Sequence, residues 1–319
     1  MTYPLVSVVI PTHNRPDLLT EAILSVDRQT YPGPIEVIIA DDASSPPITS
    51  RQRPTGRFET HIVRNTCLQG GAAAKNLGAG AARGEYLAFL DDDDLLSPGY
   101  VEDAIAALRN CETPKTCFMA VKWFGERAAW GQSHHDRNTD LILSQTEHTE
   151  LEPNLILFTR GLFQALLERI PMPFQRPVLR RSDFQAIGNY QEDCLLWDCE
   201  WALRAALYGP CALLRRSPYL QRASGQGYSS QSQRQEEHLL SMIVAKQRLL
   251  YHPLLKSPEL KQALSHSLSQ GWFDAAYFYS EHRKYRQALQ ALRKSMRSGI
   301  HFHQIKLLAK ISIYAFTHP

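Results

Sequence analysis

Twice within its first hundred residues the chain ends a strand-like apolar run on adjacent aspartates. Glu36–Ala40 runs into Asp41-Asp42, and Glu85–Leu90 runs into Asp91-Asp92-Asp93-Asp94. Neighbouring carboxylates repel one another, and two that share a site do not both ionise cheaply. A fold that buries these strands must bring their acidic ends out into polar surroundings. Open α/β sheets do this, because ligands bind beyond the carboxyl ends of their strands. The flanking pattern agrees. Val6–Ile10, ahead of Pro11, and Thr116–Lys122 are further strand-like runs, and His61–Arg64 is a weaker one. Between them Pro16–Gln29, Gly71–Arg83 and Pro98–Arg109 read as helices, the first with Leu18, Leu19, Ala22, Ile23 and Val26 on one face. Strands alternating with helices predict an α/β domain built on a largely parallel sheet.

Residues 126–190 are polar and hold four prolines between Pro153 and Pro177, which predicts loops around an inserted antiparallel element. Gln191–Tyr208 predicts a helix stopped by Gly209-Pro210, and Ala212–Leu220 a late strand. From Gln233 onward the pattern is helical. "WFDAAYFYSEHRKYRQALQALRKSMRSG" reads as two amphipathic helices joined near His282–Lys284, resembling one tetratricopeptide hairpin. The expected division is a domain over 1–230 and a helical extension over 231–319. A net charge of +3 is too small to argue for nucleic acid as the main partner, and none is expected. No run approaches the ~18–20 apolar residues of a membrane span. "MTYPLVSVVIPTHN" lacks a basic leader and reads as a strand, so no signal peptide and a cytoplasmic location are expected. Six cysteines without a CxxC pair suit reduced thiols.

The acidic strand ends carry the chemistry. A divalent cation such as Mg²⁺ or Mn²⁺ removes the repulsion among them, taking one or two carboxylates plus substrate phosphates. The other reading is a solvated acidic loop capping the helix that begins near Ser97. "LQGGAAAKNLGAGAARGEY", between the two clusters, lets a helix pack closely but contains neither GxxxxGK[ST] nor GxGxxG after a strong strand. Lys75 within it either meets a phosphate or is a solvated helix side chain.

"VSVVIPTHNRPDLLTEAILSVDRQTYP", "EVIIADDAS", "GGAAAKNLGAGAARGEYLAFLDDDD" and "WDCEWALRAALYG", in that order over roughly residues 4–230, resemble the family 2 inverting glycosyltransferases of GT-A fold. The resemblance implies a Rossmann-like sheet flanked by helices, a nucleotide-diphospho-sugar donor (a UDP-sugar foremost), a divalent cation, Mn²⁺ or Mg²⁺, and a glycan, lipid-linked or protein acceptor. It implies that Pro11, His13 and Arg15 surround the base and phosphates and that Asp42 hydrogen-bonds the base. The DxD element falls on Asp91-Asp92-Asp93, with Asp93 on the metal and Asp91 or Asp92 on the ribose and the metal's water; Asp94 caps or supports. Asp198, at the start of a helix that continues to Arg204 and Gly209, is the implied general base, with Asp193 its rival. Inversion needs such a carboxylate, because the acceptor hydroxyl must lose a proton as it attacks. Glu200 and Arg204 read as a plain helix ion pair. Trp197 and Trp201 read as core, with stacking on sugar rings the other use of such side chains. Two positions depart from the family pattern: Lys75-Asn76 replaces an Arg-Asn, and "LQRASGQGYSS", around Ser224, lacks the His that can reach the metal.

Two other functions compete. A non-catalytic nucleotide-sugar-binding module would keep the strand ends and lose the base, and a nucleotidyltransferase would need a richer phosphate loop than "IPTHNRPDLL". Between Arg283 and Lys310 the chain holds eight Lys or Arg and no Asp or Glu. Those helices either contact a membrane peripherally or pack on the catalytic domain with their lysines in water.

Overall fold

The computed structural model describes residues 3–49, 58–110, 114–223 and 234–317. Cys111, Ser224 and the expected boundary at 230/231 lie outside the described residues. The chain divides into two compact units, one of residues 1–193 and 197–226 and one of 194–196 and 227–319.

The first unit is built on a ten-stranded sheet. Strands β1 (Val6–Thr12), β2 (Ile35–Asp41), β3 (Glu59–Arg64) and β4 (Tyr86–Phe89) pair in parallel in the order β3-β2-β1-β4. Every side chain from Val6 to Ile10 is fully buried, as a parallel strand covered on both faces requires. Helices α1 (Pro16–Asp27), α2 (Gly71–Ala81) and α3 (Tyr100–Asn110) supply the cover. α2 lies close because its contact face is small: a Cβ on Gly78 would sit 2.4 Å from Val9 Cγ1.

β6 (Thr116–Phe124) and β10 (Cys211–Arg222) are also parallel to each other and continue the common direction. Between β4 and β6, β9 (Pro177–Arg180) runs antiparallel to both. The two-residue β5 (Leu95–Leu96) and the hairpin of β7 (Glu147–Glu152) with β8 (Leu155–Arg160) complete the sheet, β5 and β8 antiparallel to β10.

The middle of the chain departs from expectation in one respect. The antiparallel element is present, but Ala128–Ser144 is a 17-residue helix, α4, rather than loop. Among its described side chains Gly131 and Ile142 are buried, and His135 stacks on Trp123 at 4.8 Å. Short α5 (Leu162–Glu168) and α6 (Arg181–Ile187) follow. α7 begins at Trp197 and ends at Tyr208, six residues later than its predicted start. Asn76 holds the preceding loop extended, donating to the Tyr190 carbonyl and accepting from the Tyr190 amide, both at 2.9 Å.

The second unit is helical: α8 (Gln235–Leu249), α9 (Pro258–Glu281), α10 (Tyr285–Ser295) and α11 (Phe302–Thr317). α9 and α10 are the expected hairpin, joined at 282–284, and Ala275, Ala276, Ala288, Ala291 and Leu292 form its centre. Among the described residues no helix is long and apolar enough to cross a membrane.

Candidate active site

The loops after β1 and β2 are stitched together. The Asn14 amide donates to Ser44 Oγ at 2.9 Å, and the Ser45 amide to Asn14 Oδ1 at 2.7 Å, with Asn14 at φ 55. His13 donates from Nδ1 to the Asp42 carbonyl at 2.7 Å. Pro11 lies within β1, paired in register with Ala40. The two aspartates that end β2 both brace loops. Asp41 accepts from the Ser44 and Ile48 amides and from Arg64 Nη1. Asp42 accepts from Asn65 Nδ2 at 2.8 Å, the Gln69 amide at 3.0 Å and the Gly70 amide at 2.6 Å. Asp42 thus sets the entry to α2, where Gly70 takes φ 97, a conformation that favours glycine.

The four consecutive aspartates separate into distinct environments. Asp91 faces two cations, Lys75 Nζ at 2.7 Å from Oδ1 and Arg176 Nη2 at 3.3 Å from Oδ2. Burial pushes its pKa up, but Lys75 and Arg176 outweigh burial and hold it at about 2. Asp92 accepts from Thr12 Oγ1 at 2.7 Å and Arg15 Nη1 at 3.2 Å, and burial raises it to about 6 despite both. Asp93 shares the same Arg15 nitrogen at 3.1 Å and is raised by burial and by the Asp91 charge. Asp94 is pushed up to about 7 by burial, opposed by Arg176 at 3.8 Å. Its Oδ1 accepts the Arg222 amide at 2.7 Å, which fastens the cluster to β10. The Asp91 amide is fastened there too, donating to Tyr219 Oη at 2.9 Å.

Lys75 is therefore not a solvated helix side chain. It is 2% exposed, and its Nζ lies 4.7 Å from the centroid of the Trp197 ring. Arg176, just before β9, has no motif in the sequence to mark it and is the residue the sequence reading missed. Its guanidinium stacks 4.6 Å over the Tyr219 ring. Burial opposes its charge, but Tyr219, Asp91, Asp94 and Asp198 together raise its pKa.

Asp198 sits in the first turn of α7, half-buried, with Oδ1 accepting the Cys199 amide at 2.8 Å. Its charge acts on both Arg176 and Tyr190, which places it electrostatically on the same cluster. Its rival Asp193 is exposed. Glu200 and Arg204 are an ion pair, as expected, but a buried one: Arg204 meets both Glu200 oxygens at 2.8 Å. The same guanidinium donates to the carbonyls of Ile187, Gly188 and Asn189. Trp201 is core, 1% exposed, with its indole N–H on the Gly188 carbonyl.

Among the described residues no three His, Cys, Asp or Glu side chains are arranged to hold a metal ion. Asp93 and Asp91 are the more open of the four aspartates, their side chains 32% and 29% exposed. Both Asp91 oxygens already face cations, which leaves Asp93 as the carboxylate with room for another.

The model of the family described as "Glycosyl transferase family 2" matches residues 7–184. A Haemophilus influenzae protein described as an uncharacterized glycosyltransferase is 33% identical over 104 residues, 33% of this chain and 34% of that protein. The Campylobacter jejuni GalNAc(5)-diNAcBac-PP-undecaprenol beta-1,3-glucosyltransferase is 38% identical over 100 residues, 30% of this chain and 32% of that protein. The matched stretch thus spans about one third of the length of these curated relatives. In fold, the chain resembles S. aureus TarS 1-349 in complex with UDP-GlcNAc, with TM-score 0.68 and 18% identity over 98% of this chain and 89% of that one. It also resembles the mannosyltransferase PcManGT from Pyrobaculum calidifontis in complex with GDP-Man and Mn2+, with TM-score 0.60 and 18% identity over 100% of this chain and 82% of that one.

Proposed function

The chain belongs to glycosyl transferase family 2, and on that premise we propose that it moves a sugar, with inversion, from a nucleotide-diphosphate donor to an acceptor hydroxyl in glycan or surface-polysaccharide synthesis. A UDP-sugar is the donor we favour. The acceptor we favour is a lipid-linked glycan, the kind named for the C. jejuni relative. The observation that carries the reading is the aspartate cluster at the end of β4, set among Arg15, Lys75 and Arg176 with Asp198 acting on the same charges.

The acceptor oxygen attacks the anomeric carbon as the bond to the diphosphate breaks. Asp198 takes the proton that the attacking hydroxyl releases. Arg15, half-exposed on the cluster, turns its guanidinium to the diphosphate and stabilises the charge that develops there. Lys75 holds Asp91 ionised and oriented toward the ribose. Pro11, His13 and Asp42 border the base, and the backbone bonds of Asp42 keep that wall rigid. Asp93 would hold Mn²⁺ or Mg²⁺ together with oxygens of the donor's phosphates, and the cation would supply positive charge to the departing diphosphate.

Calorimetric titration with UDP, GDP and CDP, each with and without Mn²⁺, tests this on the wild type and on Asp93→Ala. The expected result is metal-dependent binding of one nucleotide that the variant loses. Absence of binding by all three nucleotides, with and without Mn²⁺, would refute a donor site here.

A further inference from the structure

The second unit carries a surface that the transfer reaction does not use. α11 presents two apolar faces. Gln304, Leu307 and Ile311 turn inward and are buried, and Gln304 Nε2 donates to Ser295 Oγ at 2.7 Å, clamping α11 to α10. One such face is all a helix needs in order to pack. Yet Phe302, Ile305 and Leu308, spaced three apart on another side, stand in solvent, 71%, 51% and 39% exposed. Ile300, in the connector before the helix, is 68% exposed.

Along this stretch of chain the charge is of one sign, since residues 293–310 hold no Asp or Glu. Arg293 and Lys294 in the last turn of α10, Arg297 in the connector and Lys306 on α11 are all exposed. None of the four has a carboxylate partner among the described residues. Two nearby cations do have one: Lys284, just before α10, pairs with Glu236 at 2.6 Å, and Lys310, on α11, with Glu281 at 2.8 Å. Lys306 Nζ sits 4.6 Å over the exposed Phe302 ring, so cation and apolar group occupy one patch.

We propose that the α10–α11 connector and the outer face of α11 dock on an anionic phospholipid surface, with Phe302, Ile305 and Ile300 entering the headgroup boundary and Arg293, Lys294, Arg297 and Lys306 on the lipid phosphates. A protein partner would have to supply an apolar groove rimmed with carboxylates. An anionic bilayer presents apolar depth and negative charge everywhere along its plane, and both features of the patch match it.

The test is cosedimentation of the full chain with vesicles of phosphatidylcholine alone or with phosphatidylglycerol at about 7:3. Two variants accompany it, F302S/I305S and R293Q/K294Q/R297Q/K306Q, each checked by circular dichroism, thermal melting and sedimentation velocity. The substituted residues are exposed, so both variants should fold and melt as the wild type does. The wild type should partition at least tenfold more strongly onto anionic vesicles and be released by salt. Removing the four cations should weaken partitioning by roughly three orders of magnitude, and F302S/I305S should weaken it on the same vesicles at unchanged charge. Equal capture by neutral and anionic vesicles, no capture of the wild type, or variants that bind like the wild type would overturn the proposal. So would a wild-type oligomer that F302S/I305S dissociates and that ignores vesicles, since a second copy would then cover the face.

Discussion

Replacing Arg176 with Met should destabilise the protein in a pH-dependent way, and the dependence can be worked out in advance. The guanidinium is 3.3 Å from Asp91 and 3.8 Å from Asp94. At an effective dielectric of 20, each contact contributes about 4–5 kcal/mol of gross attraction. Much of that offsets the desolvation of a fully buried cation, and breaking such a set by removing one partner typically costs about 3–5 kcal/mol. For a unit of this size the melting temperature should fall by roughly 6–20 °C. The pH term comes from Asp94, whose folded pKa of about 7 already lies above its unfolded value. Near pH 5.5 the folded carboxyl is protonated with or without Arg176, so it adds nothing to the difference between the two proteins. Near pH 8.5 the wild type ionises it beside Arg176, whereas the variant must ionise it without that cation or keep the proton. The extra penalty is about 1.4 kcal/mol for each unit by which the variant's pKa rises, and it saturates at about 2 kcal/mol between pH 7 and pH 8.5. Asp91 stays ionised at both pH values, because Lys75 remains beside it. Scanning calorimetry of both proteins near pH 5.5 and 8.5 reads the two terms. A loss that is the same at both pH values, or that is larger at the acidic one, would refute the reasoning.

The remaining expectations are briefer. Asp198→Asn should lower kcat by ~10²–10⁴ while leaving nucleotide affinity nearly unchanged; steady-state kinetics paired with calorimetric binding separate the two. Arg204→Met should cost about 3–5 kcal/mol, since it strips buried Glu200 of its cation and the Ile187 and Asn189 carbonyls of their donor, the Gly188 carbonyl keeping the Trp201 indole; a urea melt would show it, and a loss below about 1 kcal/mol would mean that water replaces the guanidinium. Gly78→Val should destabilise by about 1–3 kcal/mol or more through collision with Val9, and an unchanged melting temperature would show that α2 can move off the sheet.

What the sequence disclosed and what it withheld divide along physical lines. α1 was legible because its buried face, Leu19, Ala22, Ile23 and Val26, recurs with helical period. The acidic strand end was legible because four aspartates interrupt an apolar run. α4 was not, since among its described side chains "AAWGQSHHDRNTDLILS" buries a glycine and an isoleucine and stacks a histidine, and no apolar stripe announces it. β9 is four residues long, and its place is set by β4 and β6, distant in sequence. The Glu200–Arg204 spacing is the same on a wet face as on a buried one. The clue that decides between them was the run "WALRAAL", in which Arg204 is the lone polar side chain and has no route to water.

The charge argument itself changes when the fold is known. From sequence, four adjacent carboxylates called for a cation from outside. In the structure Lys75, Arg15 and Arg176 already stand among them, drawn from α2, the loop after β1 and the approach to β9. With Asp94 raised to about 7 and Asp92 to about 6, the cluster at neutral pH lies closer to balance than a count of aspartates implies. A metal at Asp93 is then not needed to hold the carboxylates together; its proposed work is on the diphosphate. The consequence is measurable. Chelation should abolish nucleotide binding but leave the melting temperature of the free protein unchanged, whereas a metal that served the carboxylates would lower both when removed.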